Sequence, residues 1–342
     1  MLEYKIRIMK ESRLMAHKRK VSEKINSGAF KNENKFQTKK SLGQNFLNNR
    51  GILELIAKSA DIKAGDLILE IGPGAGALTE YLLKEVSRGE GAKILCIEKD
   101  HRLINILNKK FKIGEEGADN FEESDAASEA SSKKREGEQE VREIEIVEAD
   151  ILKWGSDEYF TKNKINNFEY KIIANIPYYI TGAIIEKFLE EKIKPSIMIL
   201  MVQKEVAQRM VNKSGKGSIL SLCTEYYADV EIIKMVSKGS FTPAPKIDSA
   251  VIKINLKKEN LLDTKYLCLE KKYLELVKIG LAHKRKTLIS NLKEYSKKNN
   301  KNSNNLEIFD WDKLFEKMNL DKKVRGEDVT FDTWLRLAGE VL

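Results

Sequence analysis

The sequence predicts an α/β fold: a parallel sheet wrapped by helices, followed by a small helical C-terminal domain. Three observations carry this. Leu69-Glu70-Ile71-Gly72-Pro73-Gly74-Ala75-Gly76-Ala77-Leu78-Thr79 reads as a buried strand, a glycine turn and a helix. Strand and helix patterns alternate over residues 67–112 and resume at Glu145. From Tyr266 onward the pattern turns helical.

Size and charge bound the partners. The 342 residues suit one large domain plus a smaller one. A net charge of +9 and a pI of 9.1 favour an acidic partner, with nucleic acid the first candidate. Cys96, Cys223 and Cys268 are odd in number and far apart, which fits a reducing cytoplasm and gives no metal spacing. His17, His101 and His283 form no ligand cluster. The start carries no signal-peptide pattern, and the longest apolar run, Ile197 to Val202, is far too short to cross a bilayer.

Residues 1–38 read as a basic arm, disordered in the free protein and densest in charge at Lys18-Arg19-Lys20. Residues 39–260 read as the α/β domain and residues 261–342 as the helical one. Lys39 to Leu47 reads as a loop before a helix from Ile52 to Ala60. The first strand–helix passage is Leu67–Gly72, Leu78–Val86, Lys93–Glu98 and His101–Lys112. Residues 114–143 interrupt it with an acidic insertion almost free of large apolar side chains, read as flexible.

The rhythm returns with a strand from Glu145 to Asp150 and another starting at Tyr170 and ending in Asn175-Ile176-Pro177-Tyr178-Tyr179. A helix from about Gly182 to Lys192, a strand from Ser196 to Val202 and a helix from Gln203 to Val211 follow, the last exposing Lys204, Gln208 and Arg209. Strands are expected at Asp229–Val236 and Asp248–Leu256, with none running through Pro243–Pro245. Helices are expected at Tyr266–Leu281, Lys284–Tyr295, Asp310–Met318 and Thr330–Val341, with a Lys/Asn-rich loop over residues 296–305.

The glycine turn offers bare main chain to a ligand lying beyond the strand's carboxyl end. Its spacing is not that of a dinucleotide fingerprint, because the third glycine comes one residue early and Pro73 removes an amide donor. Glu98, at the end of the next strand, can accept both hydroxyls of a ribose. The pair predicts an adenosine-type cofactor, with S-adenosylmethionine ahead of NAD. Successive parallel strands end on one edge, so Glu98, Asp150 and Asn175 converge on the same crevice. Asp150 would accept from an adenine amine of the cofactor.

Asn175-Ile176-Pro177-Tyr178 suits alkylation of an amine on a flat ring. The lone pair of such an amine is delocalised into the ring. A side-chain carbonyl (Asn175) and a peptide carbonyl near Ile176 can accept its two hydrogens and aim the lone pair at a methyl group. Pro177 fixes their directions, and Tyr178 offers a face for stacking.

These residues resemble the adenine-N6 methyltransferases, and further motifs narrow the resemblance to the ribosomal RNA adenine dimethylases. They are Gly43-Gln44-Asn45-Phe46-Leu47, Phe241-Thr242-Pro243-Ala244-Pro245-Lys246-Ile247-Asp248-Ser249-Ala250-Val251 and Lys284-Arg285-Lys286-Thr287-Leu288. Asp248-Ser249-Ala250, the Arg285-to-Leu288 segment and Arg325-Gly326-Glu327-Asp328-Val329-Thr330 resemble the small-subunit branch of that family rather than the antibiotic-resistance methylases of large-subunit RNA. The resemblance implies a Rossmann-like class I S-adenosylmethionine-dependent methyltransferase domain. It also implies dimethylation of two adjacent adenines near the 3′ end of small-subunit rRNA, on a pre-30S particle, by a cytoplasmic enzyme taken as monomeric by default. The alternatives are a large-subunit resistance methylase and an rRNA-binding assembly factor.

By the same resemblance Asn45, Leu47, Gly72, Gly74, Glu98, Asp150 and Asn175 bind the cofactor. Asn175 and Tyr178 position the target base, and Phe241 stacks on its other face. The adenine leaves its own stack to enter. Basic helices near Arg209 and at Lys284, Arg285 and Lys286 grip phosphates. No metal is implied. The basic arm and the acidic insertion depart from the family's pattern.

Overall fold

A computed structural model describes residues 45–88, 90–113, 143–167, 169–211, 216–257, 264–299 and 309–342. The basic arm, residues 39–44 and the acidic insertion up to residue 142 lie outside the described residues, as do residues 300–305 of the expected Lys/Asn-rich loop, whose first four residues instead continue a helix.

The core of the α/β domain is a seven-stranded sheet. Its strands are β2 (Leu67–Ile71), β3 (Lys93–Glu98), β4 (Ile144–Glu148), β5 (Tyr170–Ala174), β6 (Ile197–Gln203), β7 (Ala228–Val236) and β9 (Ser249–Leu256). They lie in the order β4-β3-β2-β5-β6-β9-β7. The first five are parallel, and β9 runs antiparallel to both β6 and β7. The chain works outward from β2 to the β4 edge, then returns to place β5 on the other side of β2. That reversal opens a crevice beyond the carboxyl ends of β2 and β5. Ile71 pairs with Ala174, so the glycine turn and Asn175 leave adjacent strands side by side.

Alternation along the strands feeds two apolar layers. Leu69, Ile71 and Ile172 face one layer, with Ile184, Ile185 and Phe188 of helix α5 (Tyr178–Glu190) and Leu222 and Tyr226 of α7 (Ile219–Tyr227). Ile68, Ile94 and Ile173 face the other, with Leu53 and Ile56 of α1 (Arg50–Ser59) and Leu78 and Leu82 of α2 (Ala77–Val86). Helices α3 (His101–Phe111), α4 (Ser156–Lys162) and α6 (Lys204–Val211) complete this domain.

The C-terminal helices are α8 (Thr264–Gly280), α9 (Leu288–Asn299), α10 (Trp311–Lys317) and α11 (Phe331–Glu340). They continue the first layer rather than forming a separate core. Tyr273 of α8 stacks on Tyr226 with ring centroids 5.1 Å apart, and its hydroxyl donates to the Leu222 carbonyl at 2.9 Å. Trp334 of α11 is completely buried among them. Leu314 and Phe315 of α10 face inward.

Several elements differ from the sequence-based expectation. Phe46–Leu47, expected in a loop, form strand β1, paired antiparallel with β8 (Phe241–Thr242). Helix α5 starts at Tyr178, four residues before the expected Gly182, because Pro177 sets φ at −57° on its boundary and the Pro177 carbonyl takes the Ile180 amide at 3.2 Å. Short helices α4 and α7 were not expected at all.

Lys284, Arg285 and Lys286 do not lie on a helix. They form an exposed turn, and α9 begins only at Leu288. The Leu288 amide donates to the Val324 carbonyl at 2.8 Å instead of closing a helical turn upstream. The buried Asn291 side chain donates to the carbonyls of Gly280, at 2.7 Å, and His283, at 3.3 Å. Those contacts satisfy the end of α8 and hold the turn open.

Candidate active site

The glycine turn is shaped by left-handed backbone that L side chains avoid. Gly72, Gly74 and Gly76 have φ of +66°, +62° and +75°. A Cβ on Gly74 would come within 3.0 Å of the Phe46 ring, and one on Gly76 within 2.8 Å of the Phe111 ring. Lys110 of α3 donates to the carbonyls of Ala75, at 2.9 Å, and Gly76, at 3.3 Å, and pairs with Glu80. The turn is thereby clamped from outside while its inner side stays open.

That inner side borders a cavity of about 290 Å³. Asn45, Leu47, Gly72, Gly74, Glu98, Asp150, Asn175, Tyr178 and Phe241 all line it. These are every cofactor and base position named from the sequence. Arg209, exposed on α6, and the Lys284–Lys286 turn lie outside the cavity. Lys286 is itself bonded to Glu294 at 2.6 Å.

Glu98 is buried at the end of β3. Its carboxylate accepts from the amides of Lys99 (2.8 Å), Asp100 (2.9 Å) and Gly74 (3.1 Å). Burial raises its pKa, and the three amides oppose that rise. A carboxylate has about four acceptor positions, so three amides leave about one. Glu98 can therefore take one ribose hydroxyl as it stands. Taking both, as expected from the sequence, requires giving up an amide bond.

Asp150 lies two residues beyond β4. One carboxylate oxygen takes the Lys99 ammonium at 2.8 Å and the other the Leu152 amide at 3.1 Å. The bond to Lys99 is the main reason its pKa is lowered, which keeps it an anion.

Asn175 follows directly on β5. The Pro177 carbonyl is already occupied by Ile180, so the peptide acceptor beside Asn175 is that of Ile176. The Tyr178 hydroxyl is hydrogen-bonded to Ser249, a completely buried residue at the start of β9. Burial raises the Tyr178 pKa, so the ring is a fixed, neutral plate rather than a base. Phe241 comes from β8, and its partner across the ribbon is Leu47. The ribbon is tied by Asn48, whose side chain donates to the Thr242 hydroxyl at 2.7 Å and whose amide donates to the Ser240 carbonyl at 2.9 Å.

The structure adds Glu70, Lys99, Tyr179 and Ser249 to the residues recognised from sequence. Glu70 lines the cavity from β2, is fully buried and accepts from the Cys96 thiol at 3.6 Å. An acid inside the otherwise apolar strand Leu67–Ile71 is the sequence signal that marks it. Burial, the largest cause, pushes its pKa up to about 7.

The consequence for stability has a definite sign. The fold holds the proton more tightly than the unfolded chain, so this group subtracts stability as pH rises from about 4.5 to about 7. The slope approaches about 1.4 kcal/mol per pH unit. Glu70→Gln is expected to flatten that dependence and to melt above the wild type at pH 8. Thermal melts of both proteins across pH 5–8 check this, and parallel curves would refute it.

The strand order, the reversal crevice and the glycine turn define a class I S-adenosylmethionine-dependent methyltransferase fold. The family model described as ribosomal RNA adenine dimethylase matches residues 35–118 and 123–330, and the chain belongs to that family. It is 38% identical over 295 residues to the ribosomal RNA small subunit methyltransferase A of Mycoplasmopsis pulmonis, covering 86% of this chain and 94% of the relative. Among solved structures it resembles a dimethyladenosine transferase from Plasmodium falciparum, with 26% identity, a TM-score of 0.60, and 86% of this chain and 96% of that one covered. The 23S rRNA methyltransferase ErmE shares the fold, with 22% identity, a TM-score of 0.57, and 86% and 98% covered. Among the described residues no helix is long and apolar enough to cross a membrane, and no cluster of His, Cys, Asp or Glu could hold a metal ion.

Proposed function

We propose that the chain transfers methyl groups from S-adenosylmethionine to the N6 amines of two adjacent adenines near the 3′ end of small-subunit rRNA, two per base. The observation that carries this reading is the pairing of Ile71 with Ala174, which sets Asn175 beside the glycine turn inside one cavity.

The residues present fit the cofactor. Gly72 and Gly74 keep the crevice clear of side chains, Glu98 retains one acceptor position for a ribose hydroxyl, and ionised Asp150 can accept an adenine amine. Asn45 and Leu47 close the near wall. When bound, S-adenosylmethionine supplies a methyl group on a positively charged sulfur. Asn175 and the Ile176 carbonyl accept the two amine hydrogens and turn the nitrogen lone pair toward the crevice. Tyr178 and Phe241 bracket the base, which enters flipped from its stack. The methylated amine is acidic enough to lose its proton to water, so the site needs no strong base.

The helices of residues 261–342 serve as the RNA-gripping domain. Arg209 and the exposed Lys284, Arg285 and Lys286 meet phosphates. The relatives' names favour the small subunit as substrate. We take the enzyme to act in the cytoplasm on a pre-30S particle, as a monomer.

Labelled methyl transfer decides between substrates. Unmethylated small ribosomal subunits are expected to accept methyl groups at two neighbouring adenines. Transfer to large-subunit RNA alone would move the assignment to the resistance methylases, and absence of both transfer and cofactor binding would leave a scaffold.

A further inference from the structure

Helix α5 opens with two tyrosines that do different things. Successive helical residues point about 100° apart. Tyr178 turns inward, half-buried, with its hydroxyl on Ser249. Tyr179 turns out and is 69% exposed, more than any other large hydrophobic side chain among the described residues. It nevertheless borders the same cavity, along with Lys99 and Asp150.

Core packing does not account for an aromatic ring in this place, because so little of it is covered. A nucleobase would account for it. Drawing one adenine into the cavity strips its neighbour of a stacking partner, and that neighbour remains covalently tied to the flipped nucleotide just outside the mouth. The ring of Tyr179 follows directly on Tyr178, so the two plates are spaced by a single residue of chain, as the two bases are spaced by one phosphodiester.

We propose that Tyr179 is a second base platform, holding at the cavity mouth the adenine next to the one being methylated. This rests on the reading of the substrate as two adjacent adenines. The platform would keep the RNA engaged while the bases exchange places, which a single pocket serving two targets requires.

The test uses the full chain, unmethylated small ribosomal subunits and labelled cofactor, with methyl groups counted at each adenine. Tyr179→Ala is expected to raise KM for the subunit by about 10- to 100-fold, the loss produced by removing one base–aromatic stack. It should also leave more RNA methylated at only one of the two adenines. Tyr179→Phe, which keeps the ring, is expected to restore both. Titration with S-adenosylhomocysteine should give wild-type affinity in both variants, because Tyr179 is assigned to the RNA alone. An alanine variant that modifies both adenines with wild-type KM overturns the platform while leaving the methyltransferase reading intact. A wild-type protein that transfers no methyl group to the subunit overturns both.

Discussion

Asn175→Ala is expected to lower kcat for methyl transfer by about 10²–10³-fold, the usual cost of losing one preorganised polar contact to the reacting group. The side chain follows directly on β5, and Pro177 removes backbone freedom two residues later. In the proposed mechanism its amide oxygen is one of two acceptors for the hydrogens of the target amine, and without it the nitrogen lone pair would stay conjugated with the ring. The remaining acceptor, the Ile176 carbonyl, cannot orient the amine alone. Single-turnover transfer from labelled cofactor to small subunits measures the effect. Thermal melts should move little, because Asn175 borders an open cavity rather than filling the core. Undiminished single-turnover transfer would show that the base is oriented by other groups.

Glu98→Ala is expected to weaken cofactor binding by about 10²-fold. A hydrogen bond to a charged group contributes about 1.5–3 kcal/mol, or roughly one to two factors of ten in affinity. The substitution also leaves the amides of Gly74, Lys99 and Asp100 without their acceptor, which loosens the turn proposed to hold the cofactor. Glu98→Gln tests the charge directly. Its NH₂ group would face amide donors on one side whichever way it is flipped, so it cannot reproduce the carboxylate. The wild type should show a pH dependence of its own. The ionised carboxylate is the acceptor and burial raises its pKa, so affinity should fall on acidification at a higher pH than an ordinary glutamate would give. Calorimetric titration with S-adenosylhomocysteine from pH 5 to pH 8 reads both effects. Equal affinity in the wild type and Glu98→Ala would remove Glu98 from the site.

What could be read from the sequence follows from what local pattern encodes. The glycine turn and the strand ends at Glu98, Asp150 and Asn175 were legible because period-two apolar runs fix strand direction, and parallel strands end on a common edge. The β1–β8 ribbon was not, since two residues carry no periodicity and their partners lie 194 and 196 residues away. The start of α9 was misplaced for a related reason: the Val324 carbonyl that takes the Leu288 amide is remote in the chain. The acid inside the apolar run Leu67–Ile71 marks Glu70 as unusual, but its buried setting depends on Cys96 and Glu98 of the neighbouring strand, which local pattern does not encode.

The ribbon has a consequence for how the molecule comes into being. Two residues against two cannot hold together unaided, and this pair draws its support from the Phe46 contact with the glycine turn and from buried Leu47 and Phe241. A nascent chain halted before Thr242 would already carry β2 through β7 yet lack one wall of the chamber. Competence to hold an RNA base therefore arrives late in synthesis, after most of the polypeptide has left the ribosome.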